Sequence, residues 1–173
     1  MKISRRTFIK AGVIGTAVLA TAAWLKGPHA PASGVARRVL DADAEALFAA
    51  VAPVLLAGAL PEAGEARRAA MRDVLEGIDL AVSGLPPSAQ AELRQLIALL
   101  ALPPIRLAVA RVSSSWQDAA PDEVRRFLDR CRDSSTLLLR AAYDALHQLT
   151  FAAWYGNPKS WPAIGYPGPP VLG

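Results

Sequence analysis

The chain is 173 residues long, 53% hydrophobic and 20% charged, with 12 Gly and 14 Pro scattered rather than periodic. That is one domain's worth of sequence, too apolar for intrinsic disorder, and its single cysteine, Cys131, excludes a disulfide framework, a CxxC pair or a cysteine-rich zinc cluster. The 19 Lys plus Arg exceed the 15 Asp plus Glu by four, which would point to nucleic acid or an anionic surface only if those basic residues lay on the folded body.

The basic excess is concentrated at the N-terminus. The first acidic residue is Asp41, and Ser4-Arg5-Arg6-Thr7-Phe8-Ile9-Lys10 is followed by an uncharged run from Ala11 to Leu25. This string resembles the twin-arginine leader pattern S-R-R-x-F-L-K, with Ile9 in place of Leu, so Arg5, Arg6 and Phe8 are the expected export signal. As a helix the uncharged run would reach only ~22 Å, short of the ~30 Å hydrocarbon core, which favours a cleavable signal over an anchor. Ala30-Pro31-Ala32 offers an A-x-A cleavage site, with the cut after Ala32, so residues 1–32 are read as a leader and export to the periplasm is expected. An uncleaved leader tethering the protein to the inner membrane is the alternative. Removing residues 1–32 takes away Lys2, Arg5, Arg6, Lys10 and Lys26 and no acid, which leaves 14 basic against 15 acidic residues and removes nucleic acid from the partners to consider.

Residues 33–154 read as a helical domain. Asp41 or Asp43 is placed to cap a first helix that runs toward Gly58, with Pro53 as a kink. No charge falls between Ala46 and Leu60, so this helix belongs at the centre of its bundle, with membrane association as the competing reading. A second helix is predicted over Glu65 to Val82, where Met71, Val74, Leu75, Ile78 and Val82 share one face. Ser88 opens a third, with Leu93, Leu96, Ile97 and Leu100 inward, which Pro103-Pro104 ends. A fourth spans about Ile105 to Trp116 and fails at Ser113-Ser114-Ser115. Pro121 starts a fifth, with Val124, Phe127, Leu128 and Cys131 on its apolar side and the outer i, i+4 pairs Asp122/Arg126 and Arg125/Asp129. A sixth covers about Ser135 to Trp154. Strand alternation is missing throughout, so the expected fold is an all-α bundle of five to six helices.

Chemistry-bearing residues are few. His29 goes with the leader, leaving His147 with Asp144 as the one acid–base or ligand pair, too little for a zinc site and weak support for a small enzyme. Cys131, on an apolar face, reads as a buried structural thiol. Motifs of the types G-x-S-x-G, P-loop and G-x-G-x-x-G are lacking, as is a haem-attachment CxxCH, so no catalytic, cofactor-binding or metal-binding residue is expected in this chain. The sixth helix carries two stripes. Leu138, Ala142, Leu146, Leu149 and Ala153 form an aliphatic one, and Leu139, Tyr143, His147, Thr150 and Trp154 a mixed one that the C-terminal tail or a partner subunit would cover.

Residues 155–173 hold five prolines and four glycines between Gly156 and Gly173 together with Trp161, Ile164 and Tyr166, which predicts an extended, polyproline-like tail docked through its aromatic residues. From Trp154 to Pro170 the chain resembles the ending of the gluconate 2-dehydrogenase subunit 3 family, YYGNP-x-x-W-x-x-IGYPGPP. Together with a twin-arginine leader and a small helical body, this resemblance implies a non-catalytic small subunit of a periplasmic dehydrogenase. The large subunit of that family's complexes is an FAD-containing glucose-methanol-choline type oxidoreductase, frequently with a c-type cytochrome as electron acceptor. The implied role is to assemble with the flavoprotein in the cytoplasm and lend it passage through the twin-arginine translocase. Many members have His where Asn157 stands, so no role attached to that histidine carries over. Tyr143, His147, Trp154, Tyr155, Trp161, Ile164, Tyr166 and Pro167 are the expected partner interface. A stand-alone periplasmic binding or scaffold protein, with a groove lined by Tyr143, His147 and Trp154, is the competing reading.

Overall fold

The computed structural model describes residues 39–169. The leader, with Arg5, Arg6, Phe8 and the cleavage site at Ala30 and Ala32, lies outside them. Five long helices carry the fold, and among the described residues there is no strand, in agreement with an all-α bundle.

Helix α1 (Ala42–Leu55) opens where Asp41 caps it, its carboxylate accepting from Ala44 N at 2.9 Å, with Asp43 and Glu45 at the positive end of the dipole. Leu47, Phe48, Val51 and Ala52 are fully buried. The helix packs against every other long helix, so its all-round apolar sequence is that of a central core element. It ends two residues after Pro53 instead of running on to Gly58, which sits in a turn at φ 86°.

Helix α2 (Gly64–Ser83) buries Val74, Ile78, Ala81 and Val82. Its Asp79 accepts from both Val39 N and Leu40 N at 2.8 Å, tying the chain ahead of α1 to the bundle. Helix α3 (Pro87–Ala101) buries Ala89, Leu93, Ile97 and Leu100 and stops before Pro103-Pro104 as expected.

The expected fourth helix starts earlier and ends earlier than predicted, at Ala110 instead of Trp116. A three-residue turn, α4 (Pro103–Ile105), passes into a π-helical turn over Arg106–Ala110, and Arg111 takes a left-handed conformation at φ 50°. Contacts made outside the segment decide this. The Trp116 indole is buried against Phe127, ring centroids 5.3 Å apart, and donates through Nε1 to Leu100 O at 2.9 Å, while Arg130 Nη2 donates to Ala110 O. Seating Trp116 in the core requires the chain to reverse near Arg111, which a continuous helix to residue 116 would forbid. A 3-10 turn, Trp116–Asp118, leads to α5 (Pro121–Arg132), whose Val124, Phe127, Leu128 and Cys131 are buried as predicted. The two i, i+4 pairs on its outer side are not seen among the described ion pairs. Asp129 instead meets Arg132 at 3.1 Å, and Arg132 also binds Asp133.

Helix α6 (Leu137–Tyr155) lies against α2 so closely that a Cβ added to Gly77 would come within 2.9 Å of Ala153 Cβ. Beyond it the tail is not extended. Residues Pro158–Ile164 form a 3-10 helix, capped by Asn157, whose side-chain oxygen accepts from Lys159 N at 3.0 Å. Proline at the first position suits this start because its missing N–H needs no partner there, and Gly165 ends it at φ 68°.

Candidate partner interface

The buried side of α6 is made by Ala142, Leu146, Leu149 and Ala153, as the aliphatic stripe predicts, but Leu138 leaves it and is 59% exposed. The mixed stripe divides. Thr150 and Trp154 turn inward, fully buried and 5% exposed, so Trp154 is a core residue rather than a contact for a partner. Tyr143 and His147 stay half-buried, and the surface row continues through Phe151 to Tyr155. Ring centroids along this row are 5.5 Å apart for Tyr143/His147, 4.1 Å for the stacked His147/Phe151 and 5.4 Å for Phe151/Tyr155. Steps of four on a helix drift slowly around it, so four rings at i, i+4, i+8 and i+12 make one oblique ridge. Burial lowers the His147 pKa below its ordinary value, and Asp144 opposes the shift. Phe151 and Tyr155 extend a period-four series that begins at Leu139, and following that spacing instead of a core-type 4-3-4 pattern would have found Phe151 from the sequence.

The tail, as far as residue 169, bonds at the C-terminal end of this ridge. It folds across the C-terminal end of α6, where buried Ser160 shares its hydroxyl between Trp154 O at 2.6 Å and Asn157 O at 2.8 Å. Trp161 Nε1 donates to Tyr155 O at 2.9 Å, and the Trp161 ring meets Tyr166 edge-on at 5.2 Å. Lys159 reaches back to Asp73 on α2, its Nζ 2.9 Å from Oδ2. Tyr155, Ile164 and Tyr166 are 42%, 39% and 44% exposed, and Pro167 is exposed too, so these interface candidates stand at the surface near one another in the chain.

Between the tail, the start of α2 and the loop after α1 lies a cavity of about 450 Å³. Trp154, Asn157, Lys159 and Asp73 line it together with small residues of α2 such as Ala66 and Ala70. Tyr143 and His147 are not among its walls. No group of three or more His, Cys, Asp or Glu among the described residues is placed to hold a metal ion. Cys131 is 2% exposed, and burial pushes its thiol up to about 11, against the pull of Arg130. Comparison with protein-family models, with curated proteins and with solved structures finds no match.

Proposed function

We propose that this protein is a non-catalytic small subunit that binds an exported FAD-dependent dehydrogenase of the glucose-methanol-choline type and carries it through the twin-arginine translocase to the periplasm. The sequence resemblance supplies the class of partner. The observation that carries the binding role is the half-exposed aromatic ridge Tyr143–His147–Phe151–Tyr155 beside an ordered tail that presents Ile164 and Tyr166. Aromatic side chains add large contact area with few rotatable bonds, which is why they dominate interface energetics. Three side chains already hold the tail in place, namely Ser160, Asn157 and Lys159, so little ordering entropy would be lost on docking.

Co-expression with the flavoprotein tests this reading. Tyr155→Ala with Tyr166→Ala should release the flavoprotein from the small subunit. Arg5→Lys with Arg6→Lys should hold both chains in the cytoplasm. A flavoprotein that reaches the periplasm regardless would sink it. The competing reading, a stand-alone periplasmic binding protein, draws on the cavity beside Trp154, and purification of the native chain as a ligand-bearing monomer without a flavin-containing companion would favour it.

A further inference from the structure

From Leu93 to Gln117 the chain carries no Asp or Glu but three arginines, Arg94, Arg106 and Arg111. This stretch folds as the end of α3, a bend of 75° at the prolines, and the π-helical turn. Its inward side chains, Leu93, Ile97, Leu100 and Ala110, belong to the core. On the outside Leu99, Leu102, Leu107 and Val109 are 42%, 48%, 62% and 37% exposed. Positions 107, 108 and 109 are all exposed, so the outer side of this turn is open to solvent. The turn is braced from behind. Arg130 Nη2 holds Ala110 O, Trp116 Nε1 holds Leu100 O, and Val112 N closes on Arg106 O at 3.2 Å.

We propose that this corner seats the protein on the surface of a bilayer with anionic headgroups, the four aliphatic side chains entering the headgroup boundary and the exposed Arg94 and Arg111 meeting lipid phosphates, while Arg106 turns back toward Ala101 O. The chemistry favours lipid over a protein partner. A protein interface core is enriched in aromatic residues in complementary pockets, whereas the large apolar side chains exposed at this corner are all aliphatic, and carboxylates meet its stretch at Ser113 and Ser115, which donate to Glu123 and Asp118, after the exposed turn. Exposed aliphatic side chains with a basic rim suit the interfacial region of a membrane, where apolar burial and attraction to anionic lipid add together. Spanning does not compete, because no single helix among the described residues is long and apolar enough to cross, and the inner side of the bent pair is already core. The turn packs on α3, which packs on α1, and this inference is independent of the flavoprotein assignment.

The test uses the full chain with an environment-sensitive fluorophore on Leu107→Cys, or on Glu76→Cys of α2 as a control. Cys131 is buried, and the unsubstituted chain checks that it stays unlabelled. Added to vesicles containing phosphatidylglycerol, the probe at 107 should shift to the blue and the probe at 76 should not. Arg94→Gln should weaken vesicle partitioning about fivefold, the effect of one basic residue at an anionic surface. Leu107→Asp should weaken it roughly tenfold or more, through loss of the buried leucine. An unshifted probe at 107 overturns the proposal, including the case where the leader alone brings the chain down with the vesicles. The same shift on purely zwitterionic vesicles, or a shift at 107 in the flavoprotein complex without vesicles, overturns it as well.

Discussion

At Ser160 one hydroxyl stands between two carbonyls, at the junction where α6 hands over to the tail. Ser160→Ala leaves buried oxygens without their donor, so a loss of about 1–2 kcal/mol in chemical denaturation is expected, with faster proteolysis of the chain after Gly156. His147 gives a pH dependence with a definite sign. Its folded pKa lies below the ordinary value near 6.5 because burial disfavours the charged ring, so the unfolded chain binds the proton more readily. Stability therefore is complete above about pH 6.5 and falls as the pH drops through that value toward the lower folded pKa. Thermal melts of His147→Gln against the parent chain, run across this range, should remove that component of the slope; an unchanged slope would refute the assignment. Cys131 makes a simpler case. With its thiol pushed up to about 11, a thiol reagent at pH 8 should label it only after denaturant is added, and rapid labelling of the native chain would contradict its place in the core.

Among the elements, the crossing of α2 and α6 is the tightest contact in the bundle to test. Gly77→Ala gains about 1 kcal/mol in helix propensity but drives a methyl into Ala153, and overpacking of this kind costs about 1–3 kcal/mol. Destabilisation is expected in urea melts, with most of it recovered when Ala153→Gly is added, because the methyl is then merely transposed across the contact. A stabilised Gly77→Ala would show that the helices have room to part. Five long helices were legible from local signals, since Asp41, Pro103 and Pro121 mark ends that need only near neighbours to act, although the third helix opens at Pro87 and not at the expected Ser88. The failures share a different cause. Residues 105–116 carry an acceptable helical pattern, but two contacts that the pattern does not reveal, Trp116 with Leu100 O and Arg130 with Ala110 O, set the turn at Arg111. The tail likewise has too much Pro and Gly for an α-helix, yet a 3-10 turn tolerates Pro158 at its start, and Asn157, Ser160 and Asp73 give it partners that composition does not reveal. On α6 the periodicity located the buried side correctly, while the choice between Trp154 and Tyr155 for the surface row depended on where α2 approaches.

For the molecule as a whole, an α1-centred core leaves three surfaces of different chemistry: the aromatic ridge with the tail, the cavity beside Trp154, and the arginine-rimmed aliphatic corner. The first carries the proposed function, the second the competing one, and the third the membrane inference. The tail lines the cavity through Asn157, Lys159 and Ser160, so those two surfaces are coupled; the corner shares no residue with either, and substitutions there should leave them working, since sites without shared contacts act additively. The most direct measurement is affinity purification of the tagged full chain co-expressed with the flavoprotein, comparing the parent with Tyr155→Ala plus Tyr166→Ala at matched stability. The expected result is that FAD absorbance and the large subunit co-purify from the periplasm with the parent chain and are lost with the double variant. A flavoprotein that is exported and active without this chain, or one that co-purifies equally with the double variant, would contradict the proposed role or its interface.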